Sequence, residues 1–260
     1  MKTNIKIIFG CLLAVSLATV AYGCKGKASN SDNGADTVAT AKPVGPTFNA
    51  DSAYAFTAAQ CDFGPRVMNS AAHDKCGKWI VEKFKEYGCD VQEQKADLKA
   101  YDGTVLKSTN IIARFNPEAK KRILICAHWD SRPWADNDPD STNHKKPVMA
   151  ANDGASGVAV MLELARQLQA DKKLKVGVDF VCFDAEDWGI PRWETRYQDD
   201  GDSWALGAQY YAKNFPTPVK PEFGILLDMV GGEGAQFYRE GMSVQFASDV
   251  VNRVWEAAKG

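Results

Sequence analysis

The sequence carries no excess of either charge, since its 31 Lys and Arg residues nearly balance its 33 Asp and Glu residues, for a formal net charge of −2. A near-neutral chain gives no electrostatic reason to expect nucleic acid or an anionic membrane surface as a partner. No repeat of solenoid period is visible, which argues against a repeat architecture. With 45% hydrophobic residues the chain can form one sizeable core, so we expect one globular domain, whose oligomeric state the sequence does not indicate.

Cysteine pairs with C-x-x-C spacing are also absent, which argues against a zinc site built from thiolates. Cys126 and Cys182 lie in apolar, strand-like runs, and we expect both to be buried as small apolar side chains. One disulfide could form among Cys61, Cys76 and Cys89, but an odd number of cysteines does not indicate which two would pair.

The longest N-terminal apolar stretch runs from Ile7 to about Ala21, and roughly fifteen residues are short for a membrane span. Because a basic start precedes it and small residues follow it, residues 1–23 are predicted to be a signal peptide. Cys24 then resembles the lipidated first residue of a bacterial lipoprotein, with ordinary secretion as the alternative. We expect an exported periplasmic or cell-envelope protein whose only membrane contact is this lipid anchor.

Residues 24–45 are polar and aperiodic and are predicted to form a flexible tether, followed by a folded domain at 46–260. Apolar periodicity in that domain predicts alternating helices and strands. Helices are predicted at 51–60, 71–87, 154–168, 204–213 and 244–258, and strands at 90–99, 105–115, 123–127, 178–183 and 223–227. The first two strands form a hairpin at Asp102-Gly103. We therefore expect an α/β three-layer sandwich around a central mixed, mostly parallel sheet.

Acidic and imidazole side chains follow the buried strands at their C-terminal ends. His128 and Asp130 follow one strand, Glu186 and Asp187 the next, and Asp228 the third. Open α/β sheets bind ligands at this edge, and neighbouring carboxylates in a closed cleft need a cation. The sequence therefore predicts a metal site on one rim of the sheet.

Each of these residues also has a simpler interpretation. Asp153, in ANDGASG before a helix, could serve only as an N-cap, and His128 could be a hydrogen-bonded core histidine. With the other acids nearby, we favour Asp153 as a metal ligand, with His128 facing the site and Asp130 holding its ring. One carboxylate of the Glu186-Asp187 pair would bind metal and the other would move protons.

Tryptophans cluster in the loops around the same rim. Trp134, Trp193 and Trp204 are candidates for the walls of a substrate pocket, although each alone could serve only packing. His73 and His144 lie in polar sequence surroundings, and we expect both at the surface.

Several motifs make the family resemblance specific. AHWDS, ANDGASGVAVMLELAR, FDAEDWG and LLDMVG occur in the order and spacing of the zinc exopeptidase clan. HWDSRPWADND, FGPR at 63–66, NIIARFNP at 110–117 and SWALGAQYYAKN at 203–214 resemble its bacterial glutaminyl cyclase branch. The resemblance spans about Ala50 to Gly260.

The resemblance implies an α/β sandwich with one catalytic zinc. Asp153 and Asp187 would bind the zinc, Glu186 would shuttle protons, Asp228 would assist at the substrate amide, and Trp193 would wall the pocket. In the cyclases the position of His128 is retained without binding the catalytic zinc. Both groups take a further zinc ligand from a downstream histidine, whereas no histidine follows Asp228 here. We interpret the chain as a C-terminally truncated domain rather than a pseudoenzyme.

Three functions follow from this interpretation. The leading one is zinc-dependent cyclisation of N-terminal glutamine on peptides and proteins to pyroglutamate, with release of ammonia. The alternative is a two-zinc aminopeptidase, for which His128, Asp153, Asp187 and Asp228 are all present. The third is a lipid-tethered peptide-binding protein that has the pocket but no zinc.

Overall fold

The structure is a computed structural model that describes residues 45–170, 174–198, 201–217 and 219–259. The predicted signal peptide, Cys24 and all but the last residue of the predicted tether lie outside these residues. Within the described ranges, no helix has both the length and the apolar character needed to cross a membrane.

Helices and strands alternate along the described chain. The strands are β1 (Asp90–Lys99), β2 (Val105–Phe115), β3 (Arg122–His128), β4 (Gly177–Phe183) and β5 (Gly224–Leu226). The helices are α1 (Ala50–Cys61), α2 (Ala71–Glu86), α3 (Ser156–Ala170), α4 (Leu206–Lys213) and α5 (Gly241–Ala257). Asn49 and Ser70 begin α1 and α2 by accepting backbone N–H groups with their side-chain oxygens, which explains where these helices start.

The five strands form one sheet in the order β1-β2-β4-β3-β5. β3 is parallel to β4 and β5, whereas β2 is antiparallel to both β1 and β4. The predicted mixed, mostly parallel sheet is confirmed for the described strands, because β1, β4, β3 and β5 run in one direction and β2 runs in the other. The antiparallel pairing comes from β2, which lies between β1 and β4.

The predicted hairpin has the bounds that the sequence indicates. Its pairs run from Asp90 with Arg114 to Lys99 with Val105. The side chain of Asp102 accepts the backbone N–H of the residue two positions on, and the next residue in the turn is a glycine with φ 87°. Aspartate and glycine are suited to this geometry, so local sequence determines the turn.

Helices cover both faces of the sheet, as expected for three layers. On one face α2 and α3 pack through Phe84 and Met161 against Ile111 of β2. The next residue along β2, Ile112, points the opposite way and packs with Tyr211 of α4. Alternation of side chains along a strand explains why neighbouring isoleucines face different layers.

Two helices begin later than the sequence predicts. Periodicity suggests that α3 starts at Gly154, but Gly154 has φ 107° and lies in a wide turn, Ala151–Ala155, so that the regular helix starts at Ser156. Similarly, α4 starts after Ala205, which has φ 51°. Apolar periodicity does not reveal backbone of this kind, because the spacing of apolar residues does not depend on the φ of single residues such as Gly154 or Ala205.

Apolar side chains are exposed around β5 and α5. β5 is at one edge of the sheet, and in α5 the only buried residue is Val251. The large exposed side chains in this region are Leu226, Met229, Phe237, Tyr238, Met242, Val244 and Phe246. We call these seven residues the C-terminal apolar surface.

The described cysteines are free thiols, so Cys61, Cys76 and Cys89 form no disulfide with one another. Cys126 and Cys182 are buried, as predicted for small apolar side chains. Burial raises the pKa of Cys126 to about 12, which keeps this thiol neutral.

Candidate metal centre and active site

The predicted site residues meet at one edge of the sheet. β3 ends at His128, β4 is followed by Glu186 and Asp187, and β5 is followed by Asp228. Asp153 lies in the wide turn before α3. Because β3 runs parallel to its two neighbours, the carboxyl ends of these strands lie side by side.

The side chains are close enough to hold a metal ion. His128 Nε2 lies 2.8 Å from Asp153 Oδ1 and 3.7 Å from Asp228 Oδ1. One ligand atom each from His128, Asp153 and Asp187 lies within 4.8 Å of the others. An imidazole and two carboxylates form a donor set that suits zinc, so the residues fit the metal that the resemblance implies. His128, which we expected to face the site, lies inside the cluster.

Asp130 holds the loop that follows β4. Its side chain is fully buried, and its two oxygens accept the backbone N–H groups of Glu186 at 3.0 Å and Asp187 at 3.1 Å. Asp130 Oδ1 also lies 3.5 Å from His128 Nδ1. The sequence predicted the contact with the ring but not the contacts with the loop. One buried carboxylate therefore orients both strand ends.

The pKa values of three side chains in the site, Asp187, Glu186 and His128, are raised above their ordinary values. Burial, together with the negative charges of Asp130 and Glu186, raises the pKa of Asp187 to about 9. Burial also raises the pKa of Glu186. Although burial opposes a charged imidazole, hydrogen bonds to Asp130 and Asp153 raise the pKa of His128 well above its ordinary value. Carboxylates crowded in this way hold protons unless a cation replaces them.

A cavity of about 270 Å³ opens beside the cluster. Its lining residues are Arg132, Trp134, Ala135, Asp136, Asn137, Asp138, Val148, Ala150, Asp153 and Asp187. Trp134 lies in the wall of this cavity, and Trp193 packs edge-on against it with ring centroids 6.0 Å apart. Trp204 is not among the lining residues. It packs against Gly189, where the missing Cβ leaves room for the indole.

Arg132 is a residue of the site that the sequence analysis missed. Its Nη1 donates to the backbone carbonyl of Asp187 at 3.0 Å, and Nε and Nη2 bind both oxygens of Asp136 at 2.7 Å. Its guanidinium lies 4.7 Å from the ring centroid of Trp204 and 5.5 Å from that of Trp134. The sequence offered no local signal for this contact, because Arg132 and Asp136 lie in a loop, where a four-residue spacing does not bring side chains together.

The prediction for His73 is wrong. Its side chain is buried in α2, where it hydrogen-bonds to a buried carboxylate, whereas His144 is half-buried. Helical spacing could have shown this, because His73 lies three residues before buried Cys76 and seven before buried Ile80. The polar neighbours of His73 concealed its position on the apolar face.

Comparisons with known proteins agree with this geometry. A Zn-dependent exopeptidase structure from Parabacteroides distasonis has 50% sequence identity and a TM-score of 0.80, covering 83% of this chain and 73% of that chain. Glutaminyl cyclase from Bacteroides thetaiotaomicron, solved with N-acetylhistamine, has 49% identity and a TM-score of 0.81, covering 83% of this chain and 74% of that chain.

Sequence comparison gives the same grouping. Glutaminyl-peptide cyclotransferase from Drosophila melanogaster is 27% identical over 181 residues, which cover 67% of this chain and 47% of that protein. The chain thus spans about half the length of this curated relative. The sequence pattern of Peptidase family M28 matches residues 110–260, which include every predicted site residue. The chain belongs to Peptidase family M28.

Proposed function

We propose that the protein cyclises the N-terminal glutamine of peptides and proteins to pyroglutamate and releases ammonia. The observation that carries this proposal is the position of Glu186. It is half-buried beside the ligand cluster, its backbone N–H is held by Asp130, and its pKa is raised by burial. A carboxyl group in such surroundings is suited to carry protons next to a metal. The similarity to bacterial glutaminyl cyclases supports the same reaction.

The proposed reaction uses one zinc held by Asp153 and Asp187, which would supply Lewis acidity at the γ-carbonyl oxygen of the substrate glutamine. The α-amino nitrogen bonds to the γ-carbonyl carbon, the bond from that carbon to the amide nitrogen breaks, and ammonia leaves. Glu186 accepts the proton of the attacking amine and delivers it to the leaving nitrogen. Asp228 steadies the substrate amide, and Trp134 helps to exclude water, which the reaction does not consume.

A peptide that starts with glutamine tests the proposal directly. The zinc-loaded protein should release ammonia and give a product lighter by the mass of one ammonia, which mass spectrometry detects. A matched peptide that starts with asparagine controls for non-specific deamidation. Release of a free N-terminal amino acid instead would overturn the proposal.

A two-zinc aminopeptidase is the second candidate, and the position of His128 favours it. The ring nitrogen Nε2 of His128 lies near both Asp153 and Asp228, so these side chains would supply further donors for a second ion. Glu186 would then act as the base for an attacking water. The metal content of the purified protein separates the candidates: one zinc supports the cyclase, two support the aminopeptidase, and none supports a peptide-binding protein.

We also propose that the protein is exported and anchored through a lipid on Cys24. The support is the sequence alone, with its basic start, apolar stretch and small residues before the cysteine. Expression in a bacterium fed with labelled palmitate should label the wild type but not Cys24→Ser. Equal labelling of both would contradict the anchor.

A further inference from the structure

His73 touches both segments that carry the active site. It lies in the first turn of α2, with only 3% of its surface exposed. Its Nε2 lies 2.9 Å from Asp184 Oδ1, at the end of β4. Its ring also stacks on Trp129, with centroids 4.1 Å apart and an interplanar angle of 18°. Trp129 is the residue between His128 and Asp130, so one buried imidazole contacts both strand ends.

The partner of His73 holds a tight turn. Asp184 is fully buried, and its carboxylate accepts the backbone N–H groups of Thr109 at 2.6 Å and Ala185 at 3.0 Å. Ala185 has φ 52°, a left-handed conformation that costs free energy for any residue with a Cβ. The surroundings must therefore impose this turn, and Asp184 contributes by joining the turn residue Ala185 to Thr109 of β2.

The turn at Ala185 leads directly into the reactive residues. Glu186 and Asp187 follow it, and their backbone N–H groups are held by Asp130. Two buried carboxylates thus hold the loop, Asp184 at its start and Asp130 at its end. Although burial opposes a charged imidazole, the hydrogen bond and charge of Asp184 raise the pKa of His73. The contact of 2.9 Å between His73 Nε2 and Asp184 Oδ1 is buried on both sides, so His73 supports Asp184 directly.

We propose that His73 is a positioning residue, whose hydrogen bond to Asp184 fixes the turn at Ala185 and thereby the placement of Glu186 and Asp187. For the effect on turnover, this inference rests on the proposed cyclase function. Residues that hold metal ligands or proton-transfer groups in place, without touching the metal or the substrate themselves, affect turnover by about 10- to 100-fold. Loss of this support should therefore reduce kcat more than KM.

The test compares variants that differ in what they offer Asp184. His73→Met fills the space without a donor, and His73→Gln places an amide N–H near the position of Nε2. Phe84→Leu is the matched control, because Phe84 is equally buried in α2 and stacks on Phe180 away from the loop. Turnover of the glutamine peptide and hydrogen exchange of residues 184–188 are measured in the full chain.

We expect His73→Met to lower kcat by about 10-fold or more with KM within about twofold, and to speed exchange of the loop amides. His73→Gln should recover most of both losses. Phe84→Leu should lower Tm but leave kcat and loop exchange unchanged. If His73→Met does not fold, His73→Asn replaces it, because its shorter side chain cannot place a donor at the Nε2 position.

Two results would overturn the proposal. One is that hydrogen exchange of residues 184–188 is unchanged in His73→Met, or in His73→Asn where that variant replaces it. The other is that His73→Gln loses as much kcat and as much protection of the loop amides as the variant without a donor. The exchange measurement keeps this inference separate from the cyclase proposal. If the wild type does not cyclise glutamine but loop exchange still follows the donor at position 73, the proposed function fails and the positioning role stands.

Discussion

At the scale of single residues, the hydrogen bonds of Asp130 to the loop give the adjacent carboxyl groups of Glu186 and Asp187 different positions and therefore different roles. Asp130 binds the backbone of both Glu186 and Asp187, which fixes where each side chain leaves the loop. Asp187 is then directed to the ligand cluster, whereas Glu186 lies beside it. Adjacent residues with the same chemistry can therefore have different roles, which single substitutions can separate.

Glu186→Gln should abolish turnover and leave zinc content similar to the wild type, because it removes the proton carrier but no proposed ligand. Loss of a general acid–base group typically lowers kcat by about 10²- to 10⁴-fold. Asp187→Asn is the matched variant and should lose zinc. Metal analysis after dialysis, combined with the peptide assay, checks both. Loss of zinc from Glu186→Gln would show that the assigned roles are wrong.

The pKa of Asp187 predicts how the stability of the metal-free protein depends on pH. An aspartate in the unfolded chain has a pKa of about 4, whereas Asp187 in the folded protein has one of about 9. The folded form binds the extra proton between these values, so this contribution to stability is complete below about pH 4 and is lost as pH rises towards 9.

Asp187→Asn should remove this dependence. In the presence of a chelator, we expect Asp187→Asn to become more stable relative to the wild type as pH rises. Near pH 8 its free energy of unfolding should exceed that of the wild type by roughly 1–3 kcal/mol. Urea unfolding at several pH values measures this, and Asp249→Asn on the exposed face of α5 controls for net charge. A constant difference between Asp187→Asn and the wild type from pH 5 to 8 would contradict the prediction.

At the scale of secondary-structure elements, the site depends on how closely α3 approaches the sheet. Gly157 lies in the first turn of α3 and faces the backbone of Leu227, next to Asp228. A Cβ on Gly157 would lie 2.8 Å from the Cβ of Ala127, as well as overlapping the Leu227 carbonyl oxygen. The absence of a side chain therefore lets α3 bring Asp153 close to two strand ends.

Gly157→Ala should destabilise the protein by about 1–3 kcal/mol, because the helix must move away from β3 and β5. Gly241→Ala is the control, since a Cβ at Gly241 meets no atom within 4 Å. The control should be neutral or slightly stabilising. Urea unfolding of both variants measures the difference, and equal stability would show that the packing is not tight at Gly157.

A buried ion pair joins β3 to β4 at the opposite end from the site. Arg122 and Asp179 are each about 2% exposed, and Arg122 Nη2 lies 2.6 Å from Asp179 Oδ1. Arg122→Met should cost about 3–5 kcal/mol, because it leaves a buried carboxylate without its partner. Adding Asp179→Leu should recover part of the loss. Thermal and urea unfolding measure both, and a milder effect of the single change than of the double would contradict the argument.

At the scale of the whole molecule, the apolar surface is unevenly distributed. α2, α3 and α4 bury their apolar faces against the sheet, whereas the C-terminal apolar surface is exposed around β5 and α5. Leu226 is 64% exposed and Phe246 73% exposed. An exposed apolar patch beside an edge strand favours association and dye binding.

A protein made of these 260 residues should therefore bind a hydrophobic dye such as ANS without unfolding. Leu226→Lys with Phe246→Lys should reduce the fluorescence and change the free energy of unfolding by less than about 0.5 kcal/mol. Val105→Lys, at an exposed apolar position on β2, is the control and should leave the signal unchanged. Equal fluorescence in all three proteins would show that the dye binds elsewhere.

The elements could be predicted from sequence where their signals are local. The bounds of β1 and β2 agree because Asp102 and Gly103 determine the turn between them. The remaining bounds differ by up to three residues, and the largest difference is at the start of α5, which begins at Gly241. Irregular backbone at Gly154 and Ala205 explains the late starts of α3 and α4. The order of the strands in the sheet could not be predicted, because neighbouring strands in the sheet need not be neighbours in the chain.

By itself, the sequence determined which residues follow β3, β4 and β5, and therefore that His128, Glu186, Asp187 and Asp228 share one rim, although β5 is an exposed edge strand and not the buried strand that the sequence predicted. Apolar runs and turns are local properties of the sequence, so the positions of strands and their ends can be predicted without knowing the fold. Only the tertiary structure decided what supports that rim. His73 meets Asp184 across 111 residues of chain, and Glu186 meets Asp130 across 56. Such contacts depend on how distant elements pack, which local periodicity does not encode.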